Sequence, residues 1–141
     1  MSFTEVELKY LASQRLGRLA TVQPDGTLQV NPVGFTYNSG TGTIDIGGHN
    51  MAASRKYRNV GDNGRVAFVV DDLASVDPWR VRCLEVRGRG EAIGEPTDSA
   101  ARLRGAIIRI HPDRILSFGI ADLERATHDV VTNVRDVTGE A

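Results

Sequence analysis

The chain has 141 residues, 40% of them hydrophobic and 25% charged, with a formal net charge of −1. Those values fit an ordinary globular core, and exclude a disordered chain or one drawn to nucleic acid or an anionic membrane by overall charge. One cysteine, Cys83, excludes an internal disulfide and a multi-cysteine metal site within the chain.

The length fits one domain over residues 1–141, with an N-terminal helix inside 1–15 and a tail from 121 to 141. The opening "MSFTEVELKYLASQ" carries acids and no long apolar centre, so it does not read as a secretion signal. No run approaches the ~20 apolar residues that cross a bilayer, and a cytoplasmic location is the expectation. In this opening Val6, Leu8, Tyr10 and Leu11 fall partly in helical phase, with Thr4 as the cap.

Strands follow. "GRLATVQ" alternates, "PDGT" is a turn because Pro fixes one dihedral and Gly supplies a positive φ, and "LQVNPVGFTY" returns as the hairpin partner. After "NSGTG" comes "TIDIGG". "RVAFVVDD" is apolar at every position from Val66 to Val70, the pattern of a central strand covered on both faces. In "VRCLEVRGRGEAIGE", Glu85, Arg87, Arg89 and Glu91 fall on one face, and Leu84, Val86, Gly88, Gly90 and Ala92 on the other. Gly88 and Gly90 imply a close approach on the inner face by a backbone or a ring. "PTDSAARLRG" reads as a short helix capped by Thr97 or Asp98, and "AIIRIHPDRILSFGI" closes the β region with His111 and Pro112 in a turn. From Ala121 to Val137 the apolar spacing predicts a helix. About six strands with brief helices give a mainly β fold, a small antiparallel barrel.

Two places hold candidate chemistry. Pro32, in the middle of a strand, cannot donate to a ladder, which predicts a bulge or an unpaired backbone that meets a planar heterocycle. In "IDIGGHNMAASRKYRNV", Arg55, Lys56 and Arg58 gather near a helix start, where the backbone already carries partial positive charge. Either they form a solvated face, or an anion sits there. Ser54, the cations and the first amides together suit a phosphate.

"GGHNMAASRKYRNV" after a strand resembles the phosphate-binding segment of the pyridoxamine 5′-phosphate oxidase-like split-barrel flavoproteins. The order of "LGRLATVQPDGTLQVNPVGFTY", that segment and "IRIHPDRILSFGI" is similar to the actinobacterial branch that uses the deazaflavin coenzyme F420 in place of flavin mononucleotide (FMN). The resemblance implies a six-stranded antiparallel split barrel, homodimeric, with a cofactor in each of two grooves between subunits. It implies that Ser54, Arg55 and Lys56 hold the phosphate, bordered by Arg58 and Asn59. Asn31, Pro32 and Val33 would line the ring, Gly48, His49 and Asn50 would pass beneath the ribityl chain, and Trp79 and Arg80 would come from the partner subunit.

The activity implied is hydride transfer from reduced F420 to a conjugated small molecule such as an enone, quinone or tetrapyrrole. An FMN-dependent oxidoreductase and a non-enzymatic carrier of deazaflavin, flavin or haem are the alternatives. The chain lacks the C-terminal Arg-x-His segment of true pyridoxamine phosphate oxidases. Hydride transfer demands no side-chain nucleophile or acid, so no catalytic residue is assigned. His49, His111 and His128 are scattered, with no metal-ligand spacing, and no metal site is expected. Neither a nucleic-acid partner nor a membrane is expected.

Overall fold

The computed structural model describes residues 2–121 and 130–137. Helix α1 (Glu5–Ser13) starts at a reciprocal cap: Glu7 N–H donates to Thr4 Oγ1 at 3.2 Å, and Thr4 N–H donates to Glu7 Oε1 at 2.9 Å. The strands are β1 (Leu16–Val22), β2 (Leu28–Gly34), β3 (Thr36–Asn38), β4 (Thr43–Ile46), β5 (Arg65–Ser75), β6 (Arg80–Ile93), β7 (Ile107–Phe118) and β8 (Asn133–Asp136). Helix α2 (Arg55–Asn63) precedes β5, and 3₁₀ turns occupy Met51–Ala53 and Ser99–Leu103.

All the pairings are antiparallel, in the order β2-β1-β5-β6-β7-β4-β3, with β8 beside β7. The result is a mainly β, curled half-barrel of the split-barrel type with two short helices. β2 and β3 lie at opposite edges although only Phe35 separates them, so the chain bends there and draws the two edges together. That bend divides the single strand expected over Leu28 to Tyr37. With β8 it raises the strand count from about six to eight among the described residues.

The tail also departs from expectation. Asn133–Asp136 is a strand rather than part of a helix, pairing Leu116 with Val134 and Ser117 with Asn133. β4 takes only Ile108–Ile110 of β7, which leaves the rest of that edge open to a segment rich in β-branched valines. The part of the expected helix over 122–129, with His128, lies outside the described residues.

Inside the curl, Leu19, Ile44, Ile46, Phe68, Val70, Leu84, Val86, Ile108, Ile110 and Ile115 are fully buried. Phe35 meets Phe68 edge-on, centroids 5.3 Å apart. Two glycines make room. A Cβ at Gly17 would lie 2.3 Å from the Phe68 ring, and one at Gly88 would lie 2.1 Å from the His111 carbonyl oxygen. The close approach inferred at Gly88 is therefore a neighbouring backbone. Opposite it the β6–β7 register slips, pairing Gly88 with Pro112 and Arg87 with Arg114, so Asp113 is the extra residue of a bulge. His111 and Pro112 thus lie within β7 rather than in a turn, and His111 Nε2 sits 2.8 Å from Glu91 Oε1.

β5 is central, as its apolar run predicts, but among the described residues only one of its faces is fully covered. Val66, Phe68 and Val70 are buried, while Ala67 and Val69 are half-exposed. Continuing across the same outer face, Leu28 is 76% and Val30 65% exposed. No helix among the described residues is long and apolar enough to cross a membrane.

The N-terminal helix and β8 are tied together at a buried carboxylate. Glu7, 1% exposed, accepts hydrogen bonds from Ser117 Oγ at 2.7 Å and from both terminal nitrogens of Arg135, which also donates to the Ser2 carbonyl. Burial pushes the Glu7 carboxyl up, but the hydrogen bonds from Arg135, the Thr4 amide and Ser117 outweigh it and hold it below its ordinary value. A folded-state pKa below the unfolded one means stability that is complete above the unfolded value, roughly 4.3, and lost as pH falls through the folded value. Thermal melts of the wild-type protein should therefore lose stability below about pH 4.5 more steeply than those of Glu7→Gln. At neutral pH that variant should be less stable by on the order of 3 kcal/mol, because Arg135 loses its counter-charge.

Candidate functional site

The segment from Ile46 to α2 is built to present a helix start. β4 ends at Ile46, and Gly47 and Gly48 carry the chain out of the sheet. Asn50 takes a left-handed φ of 51°, which Asn tolerates, and starts the Met51–Ala53 turn. Ser54 then caps α2 in two directions. Its Oγ accepts the Tyr57 N–H at 3.3 Å and donates to the Met51 carbonyl at 2.6 Å. Gly64, with φ 68°, ends the helix and turns the chain into β5. As the first two residues of α2, Arg55 and Lys56 have amides with no partner inside the helix, at the positive end of its dipole.

No acid occupies the first turn of α2. Arg55 is exposed and its Nη1 donates to Gln23 Oε1 at 2.9 Å, which holds the side chain beside the β1–β2 turn. Lys56 is half-buried and Arg58 exposed, and among the described residues neither has a hydrogen-bonding or ion-pair partner. This donor set fits a phosphate: two cations without carboxylates, a third steadied by a neutral amide, and the free amides of a helix start.

Asn59 differs from its neighbours. It is 2% exposed, and its Nδ2 donates to Thr21 Oγ1 at 3.0 Å and to Gln29 Oε1 at 3.1 Å. Its amide fastens α2 to β1 and β2 and so sets the height of the cations above the sheet.

Asn31, Pro32 and Val33 lie on β2, an edge strand paired only with β1. Pro32 pairs in unbroken register with Arg18, so the bulge expected from this proline is absent. The strand tolerates it because an edge position asks nothing of the missing N–H on the outer side. Val33 is buried and Asn31 half-buried. Just beyond, Gly34, Phe35 and Thr36 meet Gly47, Gly48, Asp45 and Leu103 around a pocket of about 280 Å³. The edge of β2, this pocket, the Gly48–Asn50 turn and the start of α2 together make up the candidate rim. His49 is exposed on it, its Nε2 3.3 Å from Asn50 Nδ2.

Trp79 and Arg80 lie away from the cations of α2. They follow β5, whose 11 residues run away from α2 over a span on the order of 30 Å. Trp79 is 56% exposed and Arg80 half-buried where β6 begins.

Gln23, Gln29, Phe35 and Leu103 belong to the site and were not anticipated. Gln23 and Gln29 flank the "PDGT" turn and carry no motif. Leu103 arrives from a distant 3₁₀ turn, a proximity that only the tertiary fold creates. Among the described residues no group of three or more His, Cys, Asp or Glu side chains could hold a metal. Cys83 is half-buried, and burial, Asp71 and Glu85 push its thiol up to about 11, which makes it a poor nucleophile.

The sequence pattern of the family described as pyridoxamine 5′-phosphate oxidase matches residues 3–127. The chain belongs to that family. It is similar to the 5a,11a-dehydrotetracycline/5a,11a-dehydrooxytetracycline reductase of Streptomyces rimosus, with 44% identity over 99% of this chain and 96% of that protein. Among solved structures it is similar to an F420 reductase, 30% identical with a TM-score of 0.54 over 72% of this chain and 88% of that one. It also shares its fold with the FAD binding protein of Mycobacterium smegmatis, 24% identical with a TM-score of 0.62 over 80% of this chain and 92% of that one. Oxidoreductase chemistry on a flavin- or deazaflavin-binding fold is the general activity these relatives support.

Within this site, Asn59→Ala removes two hydrogen bonds and leaves the buried Thr21 hydroxyl without its partner. It should destabilise the protein by about 1–3 kcal/mol in denaturant titration. Arg58→Ala, at an exposed and unpartnered side chain, should stay within about 0.5 kcal/mol of wild type.

Proposed function

We propose that this protein is an F420-dependent reductase that delivers a hydride to a conjugated, fused-ring small molecule of the dehydrotetracycline kind. The observation that carries the proposal is the pair of uncompensated cations, Lys56 and Arg58, at the start of α2, in the segment that follows the pocket-lining Gly47 and Gly48. Identity to the Streptomyces rimosus reductase supports the acceptor class, and similarity to the F420 reductase supports the cofactor.

When bound, the deazaflavin supplies hydride without the one-electron chemistry of flavins. The chain's own residues bind and orient. Ser54, Arg55 and Lys56 hold the phosphate through charge and amide donors, with Arg58 at the border. Asn59 keeps α2 at its height through Thr21 and Gln29. Asn31, Pro32 and Val33 border the ring with main-chain groups. Gly48, His49 and Asn50 pass under the connecting chain, where a side chain at Gly48 would project towards Met51 Cε. Orientation against the acceptor and exclusion of water are the protein's contribution to rate.

We further propose a cytoplasmic homodimer. The half-covered β5, with the exposed Leu16, Leu28 and Val30 beside it, offers an apolar sheet face suited to a second copy. Such packing would carry Trp79 and Arg80 to the partner's rim.

Titration of the purified protein with F420 and with FMN separately tests the cofactor. Tight F420 binding, with Lys56→Ala weakening it about 10- to 100-fold at unchanged melting temperature, is the expected result; each charge-assisted hydrogen bond contributes ~1.5–3 kcal/mol. Preference for FMN would transfer the site to a flavin, and F420 binding without oxidation of F420H2 by any fused-ring enone would make the protein a carrier. Sedimentation should give a dimer at micromolar concentration, and a monomer that still binds cofactor would exclude an interfacial site.

A further inference from the structure

We infer that Leu103 is a specificity-determining wall of the pocket, held in place by an ion chain that runs from the exposed Asp98 to the buried Asp45; the inference rests on the reading of the rim as a cofactor and acceptor site. The 280 Å³ pocket lies between the two segments assigned to the ring and its connecting chain, Asn31–Val33 leading into Gly34 and Gly48–Asn50. Of its lining residues only Phe35 and Leu103 carry large apolar side chains. Phe35 belongs to the fixed closure of the barrel. Leu103 belongs to a separate element laid over the end of β4.

Its placement is well determined. A Cβ on Gly47 would lie 3.3 Å from Leu103 Cβ and 3.7 and 3.8 Å from its two methyl carbons, so the leucine lies flat on the glycine. The 3₁₀ turn carrying it is anchored at its start. Asp98 caps it by accepting the Ala100 N–H at 2.9 Å and accepts from Arg109 Nη2 at 2.7 Å. Arg109 in turn donates to the buried Asp45 at 3.0 and 3.1 Å, and Asp45 also accepts from Asn38 Nδ2 and Thr43 Oγ1. Ala100, 4% exposed, seats the turn on the sheet. A half-buried leucine is thus fixed at the pocket mouth by a chain of charges that ends in the core.

Pockets that enclose a drug-sized molecule run to ~300–1,000 Å³, so this space accepts one flat ring system and leaves a second at its mouth. Leu103 then meets the acceptor and sets how large a fused-ring body is admitted. Asp98 acts through it as a positioning residue.

The test compares kcat/KM for 2-cyclohexenone with that for a dehydrotetracycline in wild type, Leu103→Ala, Leu103→Phe and Asp98→Asn. F420 affinity and melting temperature are measured in parallel. Leu103→Ala should move the ratio by about five- to fifty-fold, the scale of a few methylenes in an apolar pocket, and Leu103→Phe should move it the opposite way. Asp98→Asn keeps the cap and loses the charge, so it should give a smaller shift in the direction of alanine. F420 affinity should stay within threefold throughout. Ratios within twofold of wild type in both Leu103 variants, with F420 bound, would overturn the wall and leave the functional reading intact. A loss of F420 affinity matching the loss of turnover would overturn it too, by making Leu103 a cofactor contact. Wild-type protein that binds neither F420 nor FMN would overturn the functional reading itself, and the wall with it.

Discussion

The bend at Phe35 is the constraint on which the rest depends. A sheet edge exposes unpaired backbone, and a curl of seven strands in series has two such edges to manage. Here one run of chain supplies both of them, β2 before Phe35 and β3 after it, so the edges converge where the backbone turns. The pocket opens at that convergence, lined by the turn itself and by the glycines that leave β4. Fold closure and site formation are one event, and the rim could not keep its shape if β2 slid along β1.

Asn59 connects this frame to the charged helix. The cations of α2 would be an ordinary solvated cluster if the helix were free to rock. Instead a buried amide fixes it to Thr21 on β1 and Gln29 on β2, and Arg55 leans on Gln23 at the turn between them. The positive charge is therefore held at a set place relative to the edge strand. Binding an anion therefore asks for little ordering of the helix itself, and the ordering left to do is that of the unpartnered Lys56 and Arg58 side chains.

Local rules carried the reading of the sequence where the chemistry is local. Thr4 and Asp98 each mark a helix boundary through bonds spanning at most three residues, and those boundaries were readable. The alternation of β6 gave its faces, and the crowding at Gly88 followed from glycine in a strand. What failed had non-local causes. The break at Phe35 comes from the partners available to either side. The β8 strand comes from an open stretch of the β7 edge, which overrode helical spacing. The bulge that keeps His111 and Pro112 in β7 depends on Gly88 of another strand. In the site, the cation cluster and the proline strand were legible from residue type, whereas Leu103 was invisible because nothing near it in sequence speaks of Gly47. Asn59 was expected to border a ligand, and within the chain its amide fastens α2 to β1 and β2.

The edge-on contact of Phe35 with Phe68, taken with the bare backbone of Gly17 beneath the Phe68 ring, has a mechanical consequence. The two aromatic rings form a short lever whose far end lines the pocket and whose near end rests on a residue with no side chain. A single methyl group added at the fulcrum would be transmitted to the cavity wall without touching any residue that a ligand meets. The shape of this pocket is thus coupled to packing in the hydrophobic interior.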